Sequence, residues 1–273
     1  MGIKDRITAS LDPWLRHIGL NGRDLVPILS GYGCNVVAVF QSRSCNHCTR
    51  EACVSLIGYG SACSYQIGAT LSIFAVAGRP YLFMPYLLLP FVVGAIHTRL
   101  WYDTPPNETA VPLIGRNHAS LQKPSWNAVL LRVQTVLTQF IQEAMPIFIV
   151  MCAVGAILSY TGLLDSLGNG LSPLFGLFGL PEGVAAGVIF AIVRKDGLLI
   201  LNQGEGALLG SLLVSQIFVL VYLASTLTPC LVTLWTVRKE LGGRVAFKIA
   251  GRQALTSIVS TFLLVLLLRY RAQ

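Results

Sequence analysis

Charge is scarce in this chain. Only 12% of its 273 residues are Asp, Glu, Lys or Arg, against 54% hydrophobic residues and a mean hydropathy of +0.67. That balance excludes a soluble domain of this size, whose surface needs more ionised side chains to stay in water. The Gly-x-x-x-x-Gly-Lys-Ser/Thr run that cradles nucleotide phosphates is missing, which excludes GTP binding through a P-loop. No local Ser-His-Asp arrangement and no paired carboxylates on one predicted helix face occur, so an enzyme is not expected. Residues Met1–Arg23 hold Asp5, Arg6, Asp12 and Pro13 and lack an apolar core, so no cleavable leader is expected and insertion falls to internal helices. The seven cysteines, an odd number spread through apolar segments, do not make a disulfide framework and are expected mostly as free thiols.

What is present is a set of apolar runs that approach or exceed the roughly 20 residues needed to cross a bilayer core. They are Ala52–Ala77, Pro80–Ile96, Ala144–Leu164, Gly183–Leu201, Ala207–Thr228 and Ala254–Leu268, each read as helical. An earlier run, Asp24–Phe40, is cut by Pro27, Gly31 and Gly33 and reads as a bent or re-entrant segment. The fold class expected is an all-α polytopic membrane protein with seven or eight membrane segments, some of them broken. A polar stretch rich in Pro and Asn, residues 102–127, divides residues 1–101 from residues 128–273. Gly168-Asn169-Gly170 and Ser172-Pro173 mark either a second re-entrant segment or an ordinary hairpin. Both sides of the polar stretch show a Gly-Leu pair (Gly19-Leu20, Gly179-Leu180), a short apolar segment, an Arg (Arg43, Arg194), a Cys-bearing helix (Cys63, Cys230) and a closing span. This order suggests duplicated halves.

The net charge of +8 does not point to nucleic acid, because Lys and Arg sit in short connectors rather than along one face with interleaved aromatics. Connector charge orients membrane proteins, and the clusters Lys4, Arg6, Arg16, Arg23 and Arg238, Lys239, Arg244, Lys248, Arg252 are both expected on the cytoplasmic side.

The residues with chemistry to offer are thiols beside helix-disturbing or polar neighbours. Cys34 precedes Asn35, Cys63 precedes Ser64, and Cys230 follows Thr228-Pro229. Breaking a helix at Gly31 and Gly33 frees backbone groups that only a protein-lined or wet cavity tolerates. Thiol sulfur suits late or borderline divalent metals such as ferrous iron, and Asn35 and Ser64 add uncharged oxygen donors. The competing reading is that these cysteines are small buried hydrophobes. Cys45, His47, Cys48 and Cys53 form a separate group open to three readings: metal capture, a redox pair, or no role. Glu143, before Met145-Pro146, is a candidate pore-lining carboxylate, with a place at the membrane surface as the alternative. Asp196, the other carboxylate close to membrane depth, is read as paired with Arg194 or Lys195 or as interfacial, without a transport role. His17, His97 and His118 are expected at the surface.

The motifs as they stand resemble the membrane part of the ferrous iron transport protein B family, whose members carry Gate, or nucleoside recognition, regions. Gly31-Tyr32-Gly33-Cys34-Asn35-Val36-Val37-Ala38 with Arg43 is similar to the family's Gly-Phe-Gly-Cys-Asn-Val-Pro-Ala signature, with Val37 in place of proline. Ala62-Cys63-Ser64-Tyr65-Gln66-Ile67-Gly68 keeps the thiol of a second signature, Ser-Cys-Ser-Ala-Arg-Leu-Pro, and loses its Arg and Pro. Phe190–Asp196 looks like the Phe-x-x-x-Arg-Lys-Glu/Asp run, and Thr228-Pro229-Cys230 with Arg238–Gly242 looks like the last cysteine helix.

The resemblance implies two Gate-like halves and passage of ferrous iron, the transported ion, along Cys34, Cys63 and Cys230, with no tightly bound cofactor. It implies a multi-pass protein in the lipid of a bacterial cytoplasmic membrane. The family's members normally begin with a GTP-binding domain. A separate GTP-binding chain, or another chain supplying the opening membrane helices, is therefore expected as partner, and a homo-oligomer is a further expectation. Two other readings stay open: a permease for nucleosides or another small solute, which would tolerate Cys34→Ser, and a non-transporting assembly or regulatory subunit.

Overall fold

The computed structural model describes residues 3–102, 125–162, 166, 170, 175–202 and 207–272. Among these residues every element is helical. Helices satisfy their own backbone groups in lipid, so a chain this apolar has few other choices. Most of the polar stretch 102–127, including His118, and most of the Gly168–Pro173 interruption lie outside the described residues.

Three stretches among the described residues are long and apolar enough to cross a membrane: Pro80–Trp101, Val214–Leu241 and Gly243–Tyr270. Several expected segments, and the stretch Val214–Leu241 itself, are cut into shorter pieces. Helix Leu25–Gly31 stops and Asn35–Gln41 starts after Tyr32-Gly33-Cys34. Helix His47–Gly60 gives way to Ser64–Val76 across Ser61–Cys63, so the run Ala52–Ala77 is two helices rather than one. Ala185–Val193 passes through Arg194 into the 3-10 helix Lys195–Asn202, which splits the run Gly183–Leu201. Val214–Thr226 is followed, after Leu227–Cys230, by Leu231–Leu241. The reason is local in each case. One residue is extended at every break: Cys34 (φ −154, ψ 119), Cys63 (φ −68, ψ 162), Arg194 (φ −142, ψ 134) and Cys230 (φ −62, ψ 154). A helix cannot run through such a residue, and the element that follows must start afresh.

The paired Gly-Leu dipeptides have a structural meaning. Gly19 and Gly179 lie in the left-handed region, at φ 78 and 71. Each ends a helical turn with the same two bonds. Gly19 N–H donates to the Arg16 carbonyl at 3.1 Å and Leu20 N–H to that of Leu15 at 2.9 Å. The Gly179 and Leu180 amides donate to Gly176 and Phe175 at 3.0 and 3.2 Å. This is the double bond of a glycine-terminated helix end. A 3-10 turn follows in both places, Gly22–Asp24 and Glu182–Val184.

Two apolar clusters hold the pieces together. One joins Ile73, Phe74 and Tyr86 to Val188, Leu220 and Leu223. The other joins Leu15, Ile28 and Ile57 to Val237, Ala246 and Ile249, so the amino-terminal segment packs against helix Leu231–Leu241 and the start of the last helix. Basic residues gather at that end. Arg43 and Arg50 share Glu240, and Lys248 reaches Glu51 at 3.4 Å.

His97 is a correction to the sequence reading. It is fully buried, 3.0 Å from Ser55 Oγ and 2.7 Å from Thr256 Oγ1, and stacked on Tyr59 with ring centres 5.3 Å apart. The helix does not end near Ile96 but runs on to Trp101, which keeps His97 facing the last helix.

Gly31 shows how closely the breaks approach one another. A Cβ there would sit 2.7 Å from Ser61 Cβ. Gly31→Ala is expected to cost about 1–3 kcal/mol by overpacking, read as a lower thermal midpoint in detergent. Gly68→Ala, where a Cβ meets nothing within 4 Å, is expected to leave the midpoint unchanged or raise it.

Candidate functional site

Three of the four breaks carry a thiol at the residue that starts the next helix. Cys34 caps Asn35–Gln41, Cys63 caps Ser64–Val76, and Cys230 caps Leu231–Leu241. A capping side chain stands next to the amides a helix start leaves unbonded. Cys34 and Cys63 hold that position without a side-chain cap hydrogen bond. Cys230 Sγ lies 3.1 Å from Thr233 Oγ1. The breaks are also bonded to one another, since Ser64 N–H donates to the Gly33 carbonyl at 3.1 Å and Ser61 Oγ to that of Ile28 at 3.2 Å.

This arrangement brings the three thiols to the wall of one cavity of about 60 Å³, together with Asn35, Lys195 and Asp196. Asn35 is only 3% exposed, yet neither its amide nitrogen nor its oxygen has a hydrogen-bond partner. Thr228 Oγ1, in the fourth break, is likewise buried and unbonded. Leaving such a group unsatisfied costs about 1–3 kcal/mol, and unsatisfied groups in a native fold mark a place for water or an ion.

Lys195 closes one side. It is 3% exposed, and its ammonium donates to the carbonyls of Ser225 at 2.7 Å, Thr228 at 2.6 Å and Ala224 at 3.4 Å. These are carbonyls released where helix Val214–Thr226 ends, so a fixed cation answers the negative end of that helix. Beside it, Arg194 holds Asp196 with two bonds of 3.1 and 2.7 Å, the pairing expected from their spacing.

The sequence-predicted residues divide accordingly. Cys34, Asn35, Cys63 and Cys230 meet at the cavity. Ser64 is exposed and does not line it. Glu143 falls in the π turn Phe140–Ala144, and its side chain lies outside the described residues. Of the accessory group, Cys45 and Cys53 approach to 3.6 Å between sulfurs, while His47 is exposed and Cys48 half-buried. All seven cysteines are thiols rather than disulfides. Lys195 and Tyr65 line the cavity and were missed. A signal for Lys195 was present: two cations and one anion in a row, inside an apolar run, leave one cation to be satisfied by something other than a carboxylate.

Broken helices meeting at a thiol-bearing cavity, among apolar spans, define a helical membrane protein with a site at its helix breaks. Residues 141–244 match the Gate family, described as nucleoside recognition, a stretch that contains the third and fourth breaks. The chain is similar to the Fe(2+) transporter FeoB of Methanocaldococcus jannaschii, with 24% identity over 95% of this chain and 43% of the relative. It is also similar to the Fe(2+) transporter FeoB of Synechocystis, with 25% identity over 71% of this chain and 34% of the relative. The chain thus spans less than half the length of either relative. No solved structure matches it. Together these matches are a likeness to the membrane region of FeoB proteins, in agreement with the motifs.

Lys195→Met leaves the Ser225 and Thr228 carbonyls without their donor and is expected to destabilise the protein by about 3 kcal/mol. The exposed Lys239 supplies the comparison, since Lys239→Met is expected to stay within about 0.5 kcal/mol of the parent in the same thermal unfolding measurement.

Proposed function

We propose that this chain forms the path for ferrous iron in a membrane transporter, the ion passing Cys34, Cys63 and Cys230 with the Asn35 amide as an oxygen or water contact. The observation that carries the reading is the convergence of three thiols, from breaks far apart in sequence, on a cavity that also holds an unsatisfied buried amide. Thiol and amide donors suit a borderline divalent ion and suit Mg²⁺ poorly. A transit site must also release its ion. The fixed Lys195 ammonium on the wall opposes tight binding of a dication, and the three thiols do not form a closed four-ligand cage.

Size bears on the nucleoside alternative. A space of about 60 Å³ takes a partly dehydrated ion or one or two waters, whereas pockets for small organic molecules begin near about 300 Å³.

The proposal includes two Gate-like halves, which the repeated glycine-ended turn before the first and third breaks supports. It also includes a GTP-binding partner, as the likeness to FeoB suggests, and a place in the cell membrane with the basic end toward the cytoplasm.

The test is anaerobic metal entry into liposomes holding the chain, with and without its partner chain. Iron entry is expected to exceed that of Mg²⁺, and Cys34→Ser, Cys63→Ser and Cys230→Ser are each expected to lower it at least about tenfold, the loss of one good ligand. Undiminished iron entry through Cys34→Ser would overturn the thiol path. Full-rate entry through the purified chain alone would remove the partner from the proposal.

A further inference from the structure

Away from the cavity, a second set of donors comes together from three turns of chain. Asp24 ends the 3-10 turn Gly22–Asp24, Cys45 caps the turn Ser42–Ser44, and Cys53 lies on the inner face of helix His47–Gly60. Their ligand atoms all lie within 4.8 Å of one another. The sulfurs of Cys45 and Cys53 are 3.6 Å apart. Two thiolates bound at about 2.3 Å to a tetrahedral ion stand about 3.8 Å from each other, so the pair already has the separation such an ion requires.

The carboxylate is held in place from behind. Asp24 Oδ2 accepts from the Asn21 amide at 2.9 Å and Oδ1 from Thr49 Oγ1 at 3.2 Å, and Asn21 Nδ2 donates in turn to Thr49 Oγ1 at 3.3 Å. Such outer bonds fix the direction of a ligand carboxylate. Asp24 and Cys53 are both 0% exposed, and Asp24 makes no ion pair among the described residues. Burying a carboxylate without a cation is expensive. Cys45 is only half-buried and gives an ion a way in. Within the accessory group, Cys45 and Cys53 are joined by a carboxylate from upstream, Asp24.

We propose that Asp24, Cys45 and Cys53 form a buried site for a thiophilic divalent metal, Zn²⁺ or Fe²⁺, that fastens the amino-terminal segment to the helix bundle. The fourth position is left to water or to the second Asp24 oxygen. The ion ties the chain ahead of the first break to the helix that leads into the second, in the apolar cluster where Leu15, Leu20 and Leu25 meet Ala52 and Ile249. Bound there it stays with the protein, unlike an ion in the cavity.

The test uses the full chain in detergent, under reductant, with Co²⁺ as the probe and a background in which Cys34→Ser, Cys63→Ser and Cys230→Ser remove the cavity thiols. A single equivalent of Co²⁺ is expected to give thiolate charge-transfer and tetrahedral d–d absorption. On that background Cys45→Ser, Cys53→Ser and Asp24→Asn are each expected to lower Co²⁺ affinity at least about tenfold. Cys45 is partly exposed, so Cys45→Ser separates ligand loss from misfolding, checked by an unchanged elution profile. Metal analysis of the anaerobically prepared chain distinguishes the two ions: near-stoichiometric zinc or iron, lost with Cys45→Ser, supports the site. A background protein with no cobalt spectrum, or a Cys45→Ser protein that binds Co²⁺ as tightly as its parent, overturns it.

Discussion

A backbone carbonyl or amide released inside an apolar environment must find a partner, and the structure depends on how this chain meets that demand at its helix breaks. The breaks largely answer one another. The second lends Ser61 Oγ to the Ile28 carbonyl and the Ser64 amide to Gly33, while Tyr32 from the first leans its hydroxyl toward Gly60 at 3.5 Å. The third lends Lys195 to the carbonyls of the fourth. Such bonds fix which breaks can be neighbours, and therefore which side chains share a cavity. The site is a by-product of backbone satisfaction before it is anything else.

Chemistry enters through the capping positions. The first residue of a new helix is extended, and its side chain points back into the gap the break has opened. Three of those places hold cysteine, and the matching place in the third holds Arg194, followed by the buried Lys195. The cavity wall thus combines three thiols with the Arg194–Asp196 pair and the fixed Lys195 ammonium. The polar chain behind it, Gln66 Nε2 to the Tyr86 hydroxyl at 2.6 Å and Tyr86 to Ser225 Oγ at 2.9 Å, reaches the residue whose carbonyl Lys195 holds.

Much of this was legible in the sequence, for identifiable reasons. Gly31 and Gly33 within an apolar run announced a break, and cysteine beside Asn35 or after Pro229 announced where a thiol would face one. The helical class followed from composition. Other features were not legible. An apolar run such as Ala52–Ala77 looks continuous because Ser61, Ala62 and Cys63 are small and barely disturb its hydropathy, although Cys63 is extended. His97, followed by Thr98 and Arg99, resembles a connector, and only its partners Ser55 and Thr256 on other helices show that it is interior. Lys195 was hidden by its charged neighbours. Asp24 could not be joined to Cys45 and Cys53, because nothing local in sequence announces a meeting across three turns.

Gln253, on the long last helix, carries a consequence for motion. Its Nε2 donates to the carbonyls of Gly58 at 3.1 Å and Thr226 at 2.9 Å, residues that stand just ahead of the second and fourth breaks. One planar amide group therefore spans two interrupted helices. A displacement of either helix end along its axis must stretch one of those bonds or drag the other end with it, and a packed interior resists the first. The second and fourth breaks are thus coupled through one side chain, and with them Cys63 and Cys230, which cap the helices that follow.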